Sequence, residues 1–105
     1  MSEFASEMDA SMQTMMRGMH AAGHSGDPDI DFLAMMIPHH QGAIDMARLA
    51  LIDGRDPATR RLAEDIIAAQ QVEIEGMQRR LAALRGQERN AFPALGGTRG
   101  AARRQ

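Results

Sequence analysis

The chain contains no cysteine, tryptophan or tyrosine, and phenylalanine occurs only at Phe4, Phe32 and Phe92. Without cysteine there is no disulfide framework, and thiolate catalysis or thiolate metal binding is excluded. With so few aromatic and β-branched side chains, a sheet has little to be built from. Ala, Leu, Met, Arg, Gln and Glu dominate instead, and these are helix formers. No apolar run approaches the roughly 18 residues of a membrane span. Residues 1–12 lack the apolar stretch of a secretion signal, so the chain is expected either to stay in the cytoplasm or to stand here in processed form. The charge balance is close to even, at −2. Its distribution is not: 13 acids face 7 arginines over residues 1–84, and five arginines face Glu88 alone over 85–105. No broad basic face results, so nucleic acid is not an expected partner.

Methionine is what the chain has in excess, ten residues where ordinary usage gives about two. Met8, Met12, Met15, Met16 and Met19 form one cluster, and Met35, Met36 and Met46 a second. All four histidines, His20, His24, His39 and His40, lie in or beside these clusters. At 105 residues the chain makes one domain.

Start and stop signals predict three long helices. The first covers about residues 2–22, ending near Gly23. Asp27-Pro28 reads as a cap followed by proline at the first helical position, with Asp29 and Asp31 favouring the same terminus. That helix is expected to stop at Gly54. Asp56-Pro57 repeats the signal, and the third helix is expected to end near Arg85, before Gly86. The predicted organisation is a helical domain over 1–85 and a flexible Arg/Gly-rich tail over 86–105, with a short helical turn near Ala91–Leu95. The expected fold is all-α: an antiparallel bundle of three helices, completed by a short C-terminal helix or by oligomerisation. Pro38, inside the second helix, predicts a kink beside His39 and His40.

At about 100° per residue, Met8, Met12, Met15 and Met19 share one arc of the first helix, with Met16 at its border. The second helix aligns Phe32, Met36, Ala43, Ala47 and Ala50, with His39 and His40 inside this apolar arc. The third aligns Leu62, Ile66, Met77, Leu81 and Leu84, with Gln70 and Glu73 among them. Polar groups on buried faces need partners or cost several kcal/mol. Folding about residues 25 and 55 predicts a shared layer of His39, His40, Met36, Met12, Met15, Gln70 and Glu73, and sets Met35 level with Met15. Thioether sulfur is a soft neutral ligand, and with imidazole it suits Cu(I) first, then Ag(I) or Cu(II). Gln70 and Glu73 would orient a ligating ring from behind. Met46 and Met77 complete the candidate ligands. A second candidate lies at the end of the first helix, where Met16, His20 and His24 recur every four residues beside Met19.

The segment Met36-Ile37-Pro38-His39-His40-Gln41-Gly42-Ala43-Ile44-Asp45-Met46-Ala47 resembles the signature of the domain-of-unknown-function 305 family. Leu62-Ala63, Ile66-Ile67, Gln70-Gln71, Glu73-Ile74 and Met77 resemble that family's second motif, and Gly26-Asp27-Pro28-Asp29 with Asp31-Phe32 also matches. The resemblance covers about residues 8–84. Arg79-Arg80 departs from it, standing where an aromatic is common. It implies a ferritin-like helical bundle and kinship with CopM-like proteins that bind copper or silver in the periplasm. Met36, His39, His40 and Met46 are the ligands it implies, followed by the methionines of the first helix. The expected role is copper sequestration, transfer or tolerance, in a periplasmic or extracytoplasmic space and with no catalysis. The expected partners are the metal ion and either a copper-transfer partner or a second copy. The rival expectation is an interaction module with a Met-rich core and no physiological metal. A di-iron oxidase is not expected, because no Glu-x-x-His occurs. A zinc hydrolase is not expected either, because His-Glu-x-x-His is absent.

Overall fold

The computed structural model describes residues 2–91, with side chains as far as Gln87. It is all-helical: α1 (Glu3–Ala21), α2 (Pro28–Asp53) and α3 (Pro57–Ala91), with no strand among the described residues. Each helix starts on a side-chain cap. Ser2 Oγ accepts from the Ala5 amide at 3.1 Å. The Asp27 carboxylate accepts from the amides of Asp29 and Ile30 at 2.9 and 3.4 Å. Asp56 accepts from the Thr59 hydroxyl at 2.7 Å and the Thr59 amide at 2.9 Å, and these two bonds hold its carboxyl below the usual range. Such caps satisfy amides that the helix itself leaves unpaired.

The helix ends differ from expectation at one place. α3 does not stop at Gly86 but runs on to Ala91. A helical glycine costs only about 1 kcal/mol against alanine, and Gln87, Glu88 and Arg89 are good helix formers with no proline until Pro93. The helical turn expected near Ala91–Leu95 lies, beyond Ala91, outside the described residues. α2 continues through Pro38.

α2 packs against both α1 and α3, and no contact joins α1 to α3 among the described residues. The middle helix can do this because it is apolar nearly all round, whereas its neighbours need cover on one side only. Towards α3 the covered positions of α2 are Ile30, Leu33, Ile37, His40, Ile44, Ala47 and Leu51. Those of α3 are Ala63, Ile67, Gln70, Ile74, Met77, Leu81 and Leu84. Both series advance by alternating steps of three and four, the spacing of a coiled-coil seam. The seam on α3 keeps Gln70, Met77, Leu81 and Leu84 of the expected stripe but takes Ala63, Ile67 and Ile74 in place of Leu62, Ile66 and Glu73, which are exposed. On α2, Phe32 is exposed as well.

Two glycines bring α1 close to α2. A Cβ on Gly18 would stand 2.8 Å from Pro38 Cβ, and one on Gly42 would stand 2.7 Å from Met15 Sδ and 3.0 Å from Met15 Cβ. At the other side of α2, the Arg60 guanidinium donates to the carbonyls of Leu51 and Gly54, the latter at 3.0 Å. A cation here answers the negative end of α2 and ties α3 to it. Arg60→Ala is therefore expected to cost about 1–2 kcal/mol, since bonds to charged groups are among the stronger ones. Urea unfolding followed by circular dichroism checks this, and an unchanged midpoint would refute the tie.

Candidate functional site

The loop between α1 and α2 is shaped by two glycines with positive φ, Gly23 at 67° and Gly26 at 93°. It is then locked by Asp31. That carboxylate accepts from the Ser25 amide and hydroxyl at 2.8 Å each, and from the Gly26 amide at 3.3 Å. The Ser25 amide, then its hydroxyl, lower the Asp31 pKa from its ordinary 3.8, and nearby His24 adds to this. The lock holds the turn that carries His24.

Beside this turn lies a pocket of about 400 Å³ lined by Met16, Met19, His20, Gly23, His24 and Met35. Three thioethers and two imidazoles from α1, the turn and α2 therefore meet around one space, with no carboxylate in the lining. The expected helical spacing of His20 and His24 is not what joins them, since α1 ends at Ala21. The chain turns at Gly23 and brings His24 back to the same pocket. Met35, expected level with Met15, faces Met16 and Met19 instead.

A second polar group sits on the α2–α3 seam. His40 Nε2 lies 2.6 Å from Glu73 Oε1. An ionised carboxylate can only accept, so Nε2 donates, and in the neutral ring Nδ1 carries the free lone pair. Nδ1 is buried without a partner among the described residues, and so is Gln70 Oε1. Glu73 fixes the ring as a carboxylate fixes many ligating histidines, which leaves Nδ1 able to accept a proton donor or a metal.

The expected single layer is thus divided, because α1 and α3 flank α2 without touching. His40, Gln70 and Glu73 lie on the α3 side. Met15 lies on the α1 side, where it packs on Gly42. His39 is exposed, its ring centroid 6.2 Å from that of His40. Met12 is exposed, while Met36, Met46 and Met77 are half-buried and outside the pocket lining. Among the described residues no three His, Asp or Glu side chains gather as they would around a harder ion.

The family model for a domain of unknown function, DUF305, matches residues 1–82. The chain belongs to the DUF305 family. Every candidate donor named above falls within the matched residues. An uncharacterized protein of Acanthamoeba polyphaga mimivirus is similar to this DUF305 chain, with 45% identity over 49 residues. That match takes in 47% of this chain and 32% of the viral protein, so the chain spans about a third of the length of that curated relative.

The lock at Asp31 carries a pH prediction. Because its pKa is lowered on folding, its contribution is fully present above the unfolded value and is lost as pH falls through the lower folded value. The Ser25 amide shift, followed by NMR, should therefore titrate with a midpoint below 3.8. A midpoint at or above that value would dismiss the lock, and Asp31→Ala should abolish the transition.

Proposed function

We propose that this DUF305 protein binds a soft metal cation, Cu(I) first and Ag(I) second, as cargo to be sequestered or passed on. The observation that carries this reading is the pocket of Met16, Met19, Met35, His20 and His24. Its donors are all neutral in their ligating forms and soft or borderline, a set that favours Cu(I) over Mg²⁺, Ca²⁺ or other oxygen-seeking ions. Because no thiol takes part, such a site tolerates an oxidising environment, which fits an extracytoplasmic protein. His40, oriented by Glu73, supplies a further imidazole nitrogen that a second ion can use. Nothing in this role requires a catalytic group. The helices are read as an antiparallel, ferritin-like arrangement, supported by contact pairs that step in opposite directions: Leu51 with Arg60, then His40 with Glu73.

The reading is tested by anaerobic Cu(I) titration against a competing chelator, with Zn(II) run in parallel. Cu(I) is expected to compete successfully and Zn(II) to bind far more weakly. Equal retention of the two, or no Cu(I) retention, would end the proposal. A His39→Ala/His40→Ala variant separates the two groups, since it leaves the pocket intact.

A further inference from the structure

Because the chain has no cysteine, tryptophan or tyrosine, its thioethers are the side chains most open to two-electron oxidation. They form no disulfides, so oxidants that merely pair thiols leave them alone. An oxygen-atom donor such as a hydroperoxide attacks them directly, and the rate follows access to the sulfur. Access is uneven along this chain. Among the described methionines only Met12 and Met16 are exposed, at 46% and 56%, while the others are half-buried and Met15 is held against Gly42. Met12 and Met16 are about one turn apart on α1, yet only Met16 lines the pocket shared with Met19, His20, His24 and Met35. The most accessible thioether of the described residues is therefore also a wall of the candidate site.

On the reading of that pocket as a soft-metal site, on which this step rests, we propose that Met16 is an oxidation switch, at which a hydroperoxide and the metal ion compete for one sulfur. The Met16 sulfur attacks the distal oxygen of the hydroperoxide and the O–O bond breaks. The proton of that oxygen passes to the departing one, leaving a sulfoxide and water, or an alcohol. Sulfur loses two electrons and the peroxide gains them. One sulfur lone pair has become the bond to oxygen, and the other stays on an electron-poor sulfur. The group now presents a hard oxygen, which soft Cu(I) or Ag(I) does not favour. The converse holds as well, since a sulfur that donates to a cation is a poorer nucleophile, and bound metal shields it. Exposure keeps the change local. The sulfoxide oxygen of Met16 can point to water, whereas one on half-buried Met19 or Met35 would lose water and need a buried donor. The fold thus tolerates the modification, and a methionine sulfoxide reductase reverses it, with two electrons and two protons from a dithiol removing the oxygen as water.

Limiting hydrogen peroxide, added to the full chain with and without Ag(I) and followed by peptide mass spectrometry, tests it. Ag(I) is the probe because peroxide, which oxidises Cu(I), does not oxidise it. Without metal, Met12 and Met16 are expected to gain oxygen first. With Ag(I), Met12 should react as before and Met16 should be spared. In the Met12→Leu variant Met16 is the first sulfur to react, and its oxidation should weaken Ag(I) binding at least about tenfold, the lower end of what disturbing a ligand's surroundings costs. The metal-free melting temperature should hold, and the reductase should restore the affinity. Met16→Gln, a neutral polar stand-in for the sulfoxide, should show the same loss without peroxide. Equal protection of Met12 and Met16 by Ag(I) overturns the proposal, and so does a half-buried methionine oxidised ahead of Met16. If the unoxidised chain retains neither Ag(I) nor Cu(I), the soft-metal reading falls and the switch with it. Retention that ignores oxidation of Met16 overturns the switch alone.

Discussion

Met19→Leu combined with Met35→Leu is expected to weaken Cu(I) binding by about 100-fold while leaving the fold nearly untouched. The two methionines come from different helices and meet only because α1 and α2 flank the same pocket. Leucine matches methionine in volume, and such swaps usually cost under about 1.5 kcal/mol of stability. What leucine cannot supply is the sulfur lone pair. Even the loss of a group that merely orients a ligand lowers metal affinity by roughly 10–100-fold, so the loss of two donors should reach at least the upper end. Each tenfold step is about 1.4 kcal/mol of binding free energy. Competition with a Cu(I) chelator reads the affinity, and thermal melting without metal reads the fold. Wild-type affinity in the double variant would mean that the pocket is core packing alone. A large drop in the metal-free melting temperature would mean that these sulfurs are needed as filler. The two readings therefore part in a single pair of measurements.

The parts of the fold legible in the sequence were those fixed by local chemistry. Asp27-Pro28 and Asp56-Pro57 start helices because a carboxylate caps amides two or three residues on, and proline has no amide to lose. Gly54 ends α2 for a similarly local reason. Gly86 carried no such constraint, since glycine alone does not stop a helix. The pairing of His40 with Glu73 was within reach because a tight turn fixes the level of two consecutive helices.

The lateral arrangement was harder to read. α2 is apolar nearly all round, so its periodicity does not say which sides meet neighbours, and of the stripe through Phe32, Ala47 is buried while Phe32 itself is exposed. The signals that do decide it are Gly18 and Gly42. A glycine inside a good helix is a cost without local benefit, and close approach of another element is a common reason for it. Read that way, they place α1 on the side of α2 that carries Pro38 and Gly42. The pocket follows from this placement: with Met15 seated on Gly42, the next turn of α1 carries Met16, Met19 and His20 towards Met35. His24 was the hardest to place, because it depends on a loop whose course is set by two positive-φ glycines and the Asp31 carboxylate.

Gly42→Leu is accordingly expected to be among the most damaging single changes in the chain. Gly42 is buried, and a Cβ there would meet Met15 at Sδ, Cγ and Cβ, between 2.7 and 3.0 Å. The sulfur can swing aside, but Met15 Cβ is fixed to the α1 backbone, so the helices must separate. Helix propensity works in the opposite direction, favouring any ordinary residue over glycine by about 1 kcal/mol. Overpacking of a tight contact costs typically 1–3 kcal/mol, and leucine adds three carbons beyond the Cβ. Leucine's extra carbons put the steric cost at the upper end of that range, so the steric term wins, and the net loss should be about 1–2 kcal/mol, equivalent to a fall of roughly 5–15 °C in Tm for a domain of this size. Gly42→Ala should fall between wild type and leucine, because propensity offsets part of a smaller clash. Pairing Gly42→Leu with Met15→Ala should recover much of the loss by making room on α1. If Gly42→Leu melts at the wild-type temperature, α1 does not seat on α2 as described, and the pocket that joins Met35 to Met16 and Met19 would lose its basis with it.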